Sequence, residues 1–318
     1  MEWIVFILGL ILILILGVSY YAYRRAFYHA RRCVNGKTQS DLTYADDSEA
    51  FREIAEKLRG WTEDLSRVPY REISICSRDG KRLFGRYYHV RDGAPLQIEF
   101  HGYKGDAIRD FCGGDPLARR MGFNTLLVDQ RSHGESDGRV ITFGVLERYD
   151  CLDWVNYAIQ HFGNDVKIIL TGISMGAATV LMAADLDLPE NVVGIIADSA
   201  YSSPKEILQK VCKDIGIAPN IIYPFLWLGA FLFGHFRIRG GAIESVKGAR
   251  VPILILHGEN DGFVPCEMSR RISEACASEV SVETFAGADH CLGYVADPIR
   301  YEQAISDFIE RCFWKGEV

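Results

Sequence analysis

Several features are scarce or missing in this sequence, and each absence narrows the class of protein. The nine cysteines are scattered and contain no C-x-x-C pair, which indicates reduced thiols rather than a disulfide framework. Basic residues form no long stripe and the net charge is −7, so nucleic acid is not an expected partner. No cluster of His, Cys and Asp has metal-ligand spacing, and no cofactor is expected. Without repeats or low-complexity segments, the 318 residues suffice for one large domain.

The sequence does contain one apolar run long enough to cross a membrane. Trp3 to Tyr23 holds 21 residues without a charge, and as a helix they match the about 30 Å of a hydrocarbon core. Only Glu2 precedes the run, whereas basic residues follow it at positions 24, 25, 31, 32 and 37. A cleaved signal peptide, the alternative, carries its basic residues before the run. We predict an uncleaved transmembrane anchor over residues 1–23, with the following domain on the cytoplasmic side by the positive-inside rule.

Residues 24–66 are polar and charged, and are predicted to form a juxtamembrane linker and one helix. The helix is expected over Asp47–Leu65, because apolar side chains recur there at helical spacing and can pack on a neighbouring domain. That domain is expected over residues 67–318.

From Tyr70 onward, strand and helix patterns alternate. Short apolar runs between turn residues predict eight strands, over 70–77, 82–90, 95–100, 123–129, 166–172, 192–198, 251–256 and 280–285. Helical patterns lie between them, over 109–121, 145–162, 175–186, 265–277 and 298–313. An opening hairpin followed by repeated strand–helix units predicts an α/β fold with a doubly wound, mostly parallel sheet and helices on both faces. Ligands of such sheets bind beyond the C-terminal ends of the strands.

The stretch Gly172-Ile173-Ser174-Met175-Gly176 lies between a predicted strand and a predicted helix. A sharp turn there forces Ser174 into a strained backbone conformation, and a side chain at Gly172 or Gly176 would collide with the strand or the helix. The turn also raises the serine hydroxyl above the sheet at a helix N-terminus, where backbone N–H groups can receive a developing oxyanion. Ser174 is therefore the candidate nucleophile.

A serine nucleophile needs a base, and the base needs an orienting carboxylate. The candidate base is His290, in the loop after the last predicted strand, and the candidate carboxylate is Asp261, in the loop after the preceding strand. Both loops reach the sheet edge that carries Ser174, in the chain order Ser, Asp, His that this arrangement requires. The alternatives are an Asx turn at Asp261 and a helix cap at His290, and Asp198 is a second candidate for the acid.

Two backbone N–H groups are candidates for an oxyanion hole. The loop 101–105 follows a predicted strand and can aim the N–H of Tyr103 at the same point as the N–H of Met175. His101 is expected to fix this loop through backbone hydrogen bonds. The loop 129–138 is expected to form a hydrogen-bonded turn that supports the site.

One segment interrupts the alternation of strands and helices. Residues 202–249 lie between two predicted strands, and this segment is longer than a single connecting helix requires. It contains the strongly apolar run 221–233. This run, with an internal proline and glycine, is too short to cross a membrane. The segment is predicted to be an inserted helical cap whose apolar face shapes the substrate pocket, with packing of that face onto the core as the alternative.

Four ordered motifs resemble those of the α/β-hydrolase superfamily, from about Tyr70 to Phe313. They are the H-G loop at 101–105, the D-x-R-x-x-G-x-S loop at 129–136, the G-x-S-x-G turn at 172–176, and the Asp261 and His290 loops. The chain is most similar to bacterial membrane-anchored hydrolases of the serine aminopeptidase-like and prolyl-oligopeptidase-like branch. Ser132 departs from the pattern, since many relatives have glycine there, and this leaves the shape of its loop open.

The resemblance implies a serine hydrolase. It assigns Ser174 as nucleophile, His290 as base, Asp261 as the orienting acid, and the backbone N–H groups of Tyr103 and Met175 as the oxyanion hole.

We therefore expect a membrane-anchored serine hydrolase that works through an acyl-enzyme. The apolar cap and the anchor favour a lipophilic ester or thioester as its small-molecule substrate. A peptidase or amidase of the same fold is the alternative, and Glu244 and Asp214 in the cap are its candidate anchors for a peptide terminus. A non-catalytic binding protein with this fold would be expected to lack a member of the Ser–His–Asp set, and all three are present.

Overall fold

The computed structural model describes residues 2–30 and 49–314. Eight strands form one sheet: β1 (Arg71–Cys76), β2 (Arg82–Tyr88), β3 (Leu96–Phe100), β4 (Asn124–Asp129), β5 (Ile168–Ile173), β6 (Val192–Asp198), β7 (Ile253–Gly258) and β8 (Val280–Phe285). Their order in the sheet is β1-β2-β4-β3-β5-β6-β7-β8. Strands β3 to β8 run parallel, and β2 runs antiparallel to both of its neighbours. The predicted doubly wound, mostly parallel α/β sheet is confirmed, and each strand end lies within two residues of its predicted position.

The helices follow in chain order. They are α1 (Glu2–Ala26), α2 (Glu49–Ser66), α3 (Ala107–Asp110), α4 (Gly114–Arg120), α5 (Glu147–Phe162), α6 (Met175–Met182), α7 (Pro204–Asp214), α8 (Pro219–Leu232), α9 (Ala242–Ser245), α10 (Cys266–Ala275), α11 (Gly293–Ala296) and α12 (Pro298–Trp314). A 3₁₀ turn over Val246–Gly248 follows α9. The start of the predicted 47–65 helix, and the basic residues at 31, 32 and 37, lie outside the described residues.

The prediction of one helix over 109–121 is wrong, because two short helices occupy this region. Asp106 caps α3 by accepting hydrogen bonds from the backbone N–H groups of Ile108 and Arg109. The chain turns at Gly113, where a Cβ would lie 2.8 Å from the ring of Tyr294. This interruption leaves Asp110 at the end of α3, where its carboxylate accepts a hydrogen bond from Gly102 N–H at 2.8 Å.

The core lies on both faces of the sheet because the central strands are apolar on both sides. In β5, Ile168 and Leu170 belong to the larger core cluster, whereas Ile169 belongs to the cluster on the other face. Helices α5 and α6 cover the first face, with Trp154 and Val180 fully buried there. Residues from α4 and α12 cover the second face.

Helix α1 is long and apolar enough to cross a membrane, by length and composition. Its side chains from Trp3 to Leu14 are exposed, whereas Ser19, Ala22 and Tyr23 are buried against the rest of the protein. The main contact of its second half is α8.

The cap segment, residues 202–249, contains α7, α8 and α9 between β6 and β7. Ser203 caps α7, accepting a hydrogen bond from Glu206 N–H at 3.2 Å. In α8, Leu226 and Ala230 are buried in the core cluster that also holds Ala22, Tyr23 and Phe27. The cap segment therefore packs on the end of α1 as well as on the sheet domain.

Candidate active site

Ser174 stands in the sharp turn between β5 and α6. Its backbone is in a left-handed conformation, with φ 53° and ψ −113°, which a residue with a side chain adopts only under strain. The two flanking glycines make the turn feasible. A Cβ on Gly172 would overlap the carbonyl group of Gly176, and a Cβ on Gly176 would overlap the carbonyl group of Phe100.

The three side chains selected from the sequence meet at one point. His290 Nε2 lies 2.9 Å from Ser174 Oγ, and His290 Nδ1 lies 2.6 Å from Asp261 Oδ2. Because an ionised carboxylate only accepts hydrogen bonds, Nδ1 carries the proton and Nε2 of the neutral ring accepts from the serine hydroxyl. Ser174 and Asp261 are buried, and the His290 side chain is 20% exposed.

Asp261 uses its two carboxylate oxygens for different tasks. Oδ1 accepts hydrogen bonds from the N–H groups of Phe263 and Val264, at 2.9 and 2.7 Å. Oδ2 faces His290 and also lies 3.2 Å from Nε2 of the fully buried His257. Burial alone would raise the pKa of Asp261, but the hydrogen bonds from His257 and His290 outweigh it and hold that pKa well below its ordinary value. Asp261 thus forms the turn of the alternative interpretation and also lies within hydrogen-bond distance of His290.

His257 is a supporting residue that the sequence reasoning missed. Its Nε2 lies 2.8 Å from the Val264 carbonyl, and its Nδ1 lies 2.6 Å from Ser269 Oγ. Since both partners of Nε2 are acceptors, this nitrogen carries the proton. The sequence signal that could have identified His257 is its position near the C-terminal end of β7, four residues before Asp261.

A second carboxylate connects the Asp261 and His290 loops. Asp289 Oδ1 accepts hydrogen bonds from His290 N–H at 2.7 Å and from Gly262 N–H at 3.1 Å. The position of the His290 backbone is thus coupled to the loop that carries Asp261.

The H-G loop lies directly beside Ser174, where the oxyanion hole is predicted. A Cβ on Gly102 would be 3.5 Å from Ser174 Cβ. Among the described residues, no protein acceptor is found for the backbone N–H of Tyr103 or of Met175. The predicted oxyanion hole requires this, and the assignment of the two N–H groups stays a prediction. The Tyr103 hydroxyl donates to the Ala26 carbonyl at the end of α1, at 2.8 Å.

Two buried histidines hold this loop in place. His101 Nε2 accepts from Gln130 N–H at 3.1 Å, so Nδ1 donates to the Gly102 carbonyl at 2.8 Å. His133 Nε2 accepts from Lys104 N–H at 3.0 Å, and Nδ1 donates to the Arg131 carbonyl at 3.0 Å. These contacts agree with the predicted structural role of His101 and with a supporting role for the 129–138 loop.

Ser132, at a position where the pattern has glycine, has a backbone conformation with positive φ. Its φ is 70°, in the left-handed region that favours glycine. Its hydroxyl donates a hydrogen bond to the Val140 carbonyl at 2.9 Å. In this chain, Ser132 therefore occupies its position in the loop with a conformation that favours glycine.

Asp198, the second candidate for the orienting acid, is hydrogen-bonded elsewhere. Its Oδ1 accepts from Ser199 Oγ and its Oδ2 from the Tyr301 hydroxyl, both at 2.9 Å. Burial raises the pKa of this carboxyl. The geometry therefore favours Asp261 over Asp198 as the partner of His290.

A cleft of about 1830 Å³ leads to Ser174 and His290. Apolar lining residues come from several elements, among them Leu58, Trp61, Phe111, Phe263 and Val295. From the cap segment, the lining includes Lys210 and Asp214, but none of residues 221–233. The prediction that this apolar run shapes the pocket is therefore wrong for the cleft at Ser174, because the run packs against α1 instead.

The two candidate anchors for a peptide terminus differ in position. Asp214 lines the cleft, but it forms an ion pair with Lys210 at 2.5 Å. Glu244 is not among the residues that line the cleft.

Comparisons with known proteins support the observed fold. Residues 99–216 match the family described as alpha/beta hydrolase fold, a span that contains the H-G loop and the serine turn. An esterase of Pyrococcus furiosus superposes with a TM-score of 0.63 at 22% identity, covering 78% of this chain and 93% of the esterase. The match and the observed topology both support the α/β-hydrolase fold for this chain.

Two relatives are similar over part of the chain. YqkD of Bacillus subtilis is 24% identical over 194 residues, which is 60% of this chain and 63% of the relative. The thiohydrolase aneE of Aspergillus aculeatus is 30% identical over 131 residues, 40% of this chain and 41% of that enzyme. The chain thus covers less than two thirds of the length of either relative. The narrower resemblance to the serine aminopeptidase-like branch stays a prediction.

Proposed function

We propose that the protein is a serine hydrolase that cleaves carboxylic ester or thioester bonds through an acyl-enzyme. The observation that carries the proposal is the continuous hydrogen-bonded series from Ser174 Oγ through His290 to Asp261, with distances of 2.9 and 2.6 Å. In this arrangement Ser174 is the nucleophile, His290 the general base and Asp261 the group that orients and stabilises the imidazolium.

The reaction would proceed in two halves. Ser174 Oγ attacks the substrate carbonyl while its proton passes to His290 Nε2, and the N–H groups of Tyr103 and Met175 bind the oxygen that becomes negative. His290 then gives the proton to the leaving oxygen or sulfur, which leaves an acyl group on Ser174. Water, deprotonated by His290, attacks the acyl group, and His290 returns this proton to Ser174 Oγ as the acid is released.

A lipophilic acyl substrate suits this site better than a small polar one. Apolar side chains such as Trp61, Phe111 and Phe263 line the cleft that contains Ser174, alongside charged residues such as Arg109 and Lys210, and the ring of Phe263 lies 5.2 Å from that of His290. The names of the esterase and thiohydrolase relatives also favour an ester or a thioester over an amide.

We further propose that residues 1–23 are an uncleaved transmembrane anchor, residues 24–66 a juxtamembrane linker and helix, and residues 67–318 the catalytic domain with residues 202–249 as its cap. Burial of Ser19 and Tyr23 against the domain supports an uncleaved helix, since cleavage after the run would remove packed residues. Arg24 and Arg25 in the last turn of α1 favour the cytoplasmic side for the domain.

A substrate panel tests this proposal on the full-length protein. The panel contains p-nitrophenyl esters from acetyl to dodecanoyl, the matching thioesters and aminoacyl-amides. We expect medium and long acyl chains to be hydrolysed with a higher kcat/KM than acetyl, and the Ser174→Ala variant to be inactive on all of them. Equal rates across chain lengths would contradict the lipophilic substrate, and a preference for aminoacyl-amides would favour the peptidase alternative.

A further inference from the structure

Helix α8 presents apolar side chains on the face that is exposed. Ile221, Pro224, Trp227 and Phe231 are exposed and recur every three or four residues, which places them along one side of α8. Ile221 is 69% exposed, and the rings of Trp227 and Phe231 stack with centroids 5.8 Å apart. No charged residue lies between 215 and 236. A helix on the surface of a soluble protein carries polar residues at such positions.

The opposite face of α8 packs on the second half of α1. Gly229 allows the closest approach, since a Cβ there would overlap the carbonyl group of Ser19 and would lie 3.0 Å from Tyr23 Cβ. Near the end of α8, the ring of Phe233 lies 5.1 Å from that of Tyr20. Helix α8 therefore lies beside α1 over the segment of α1 from about Ser19 to Tyr23.

The length of the exposed apolar part of α1 determines how deep the segment from Ser19 to Tyr23 lies in a membrane. Trp3 to Leu14 are the exposed apolar residues that precede the packed part, and at 1.5 Å per residue they span about 18 Å. A hydrocarbon core of about 30 Å needs about eight more residues, which reaches Ala22. A helix that crosses the bilayer must therefore bring Ser19, and α8 with it, to the depth of the acyl chains.

We infer that α8 is a second membrane-docked element, which lies beside α1 in one leaflet with its exposed apolar stripe in contact with lipid acyl chains. The inference rests on the proposed membrane anchor. The lipid bilayer is the partner because α8 packs on the part of α1 that a membrane-spanning helix brings to acyl-chain depth, and the exposed stripe faces away from α1 at that depth. Arg237, whose guanidinium lies 5.6 Å from the ring of Phe231, is then at the level of the phosphate groups.

This arrangement also sets the route by which substrate reaches the nucleophile. Arg24, Arg25 and Tyr28, directly after the apolar part of α1, line the same cleft as Ser174. The cleft therefore opens at the lipid headgroups, and a lipophilic substrate enters from the bilayer. The hydrogen bond from Tyr103 to Ala26 fixes the H-G loop relative to the anchor.

Tryptophan quenching measures the depth of α8 directly. The chain has five tryptophans, so the difference between wild type and Trp227→Phe isolates the emission of Trp227. The full-length protein is placed in phosphatidylcholine–phosphatidylglycerol vesicles whose acyl chains carry bromine. We expect the Trp227 emission to be quenched about as strongly as that of Trp3, isolated by Trp3→Phe. As the matched control, Ile299→Trp in the Trp227→Phe background puts the indole at an 83% exposed site outside α1 and the cap, and it should not be quenched.

The outcomes separate this inference from the proposals on which it rests. Quenching of Trp3 without quenching of Trp227 overturns the docking of α8 and leaves the anchor intact. Quenching of neither residue overturns the anchor and the docking together, whereas the hydrolase chemistry stands. A Trp227 emission that depends on protein concentration but not on bromine means that a second copy covers the stripe, and this also overturns the inference.

Glutamate substitutions test the functional consequence. Ile221→Glu and Phe231→Glu change exposed residues outside the cleft, so hydrolysis of a water-soluble short-chain ester should stay at the wild-type rate. Hydrolysis of a long-chain ester embedded in vesicles should fall by roughly tenfold or more, through KM, because a carboxylate is costly at acyl-chain depth. Ile299→Glu is the matched control and should leave both rates unchanged. Equal losses in all three variants, or no loss in the α8 variants, would overturn the inference.

Discussion

Gly176 touches the carbonyl group of Phe100, at the point where α6 crosses the end of β3. A Cβ on Gly176 would overlap that carbonyl group and would also lie 2.8 Å from the carbonyl oxygen of His101. The N-terminus of α6 therefore lies as close to the H-G loop as backbone atoms allow. This contact holds together the two segments that carry the proposed oxyanion donors, Tyr103 and Met175.

Replacing Gly176 by alanine should destabilise the whole domain. The overlapping atoms belong to backbone that cannot move without breaking the sheet, so we expect Gly176→Ala to cost about 3 kcal/mol or more, or to prevent folding. Gly60→Ala is the matched control, because Gly60 is an exposed position within α2 where a Cβ meets nothing within 4 Å. It should be neutral or stabilise by up to about 1 kcal/mol. Thermal unfolding of the two variants checks the contrast, and an unchanged melting temperature in Gly176→Ala would contradict the close packing.

Asp261 and Asp198 can be distinguished by their amide variants. Asp261→Asn should lower kcat by about 10⁴-fold, since the neutral side chain favours the wrong histidine tautomer and no longer stabilises the imidazolium. Asp198→Asn disturbs the hydrogen bonds from Ser199 and Tyr301 and should mainly lower the melting temperature. Ester hydrolysis by both purified variants, normalised to folded protein, is the measurement. A larger loss of kcat in Asp198→Asn would reassign the acid.

The low pKa of Asp261 makes a specific contribution to acid stability. A carboxyl whose folded pKa lies below its unfolded value of about 3.9 stabilises the fold above that value, and the stabilisation is lost as the pH falls towards the folded pKa. The stability difference between wild type and Asp261→Asn should therefore be constant above about pH 5 and should narrow from about pH 4 downward. Denaturant unfolding between pH 7 and pH 3 follows it. If the stability difference between the two proteins widened on acidification, burial rather than the hydrogen bonds from the histidines would determine the pKa of Asp261.

Arg131 should matter for stability because it pairs with a buried acid. It donates two hydrogen bonds of 2.6 Å to Asp150, and both side chains are at most 4% exposed. Arg131→Met leaves the Asp150 carboxylate without its partner and should cost about 3–5 kcal/mol. The double variant Arg131→Met with Asp150→Leu should regain much of this loss. If the double variant is less stable than the single one, the pair is not the reason for the effect.

The sequence was sufficient to predict most of the fold and the position of the candidate site. In a parallel sheet, the loops after successive strands reach one edge, so Ser174, Asp261 and His290 could be placed together without knowing any distance. The strand pattern was clear because the central strands are apolar on both faces.

Other features depend on contacts that no local pattern records. Helix α1 is apolar on all sides, so its sequence does not indicate that Ser19 and Tyr23 face a partner while Trp3 to Leu14 do not. Helix α8 is also apolar on most sides, so its sequence predicts a pocket wall although its main contact is with α1. His257 has the appearance of an ordinary strand residue until the loop after β7 brings Asp261 and Ser269 to its two nitrogens.

Covalent labelling tests the central claim, that Ser174 is the nucleophile. The full-length protein is treated with a fluorophosphonate probe, digested and mapped by mass spectrometry, with Ser174→Ala as the control. We predict a single adduct on the peptide that contains Ser174, no adduct in the variant, and loss of labelling when His290 is replaced by alanine. An adduct on another residue, or a folded wild-type protein that remains unlabelled, would contradict the assignment.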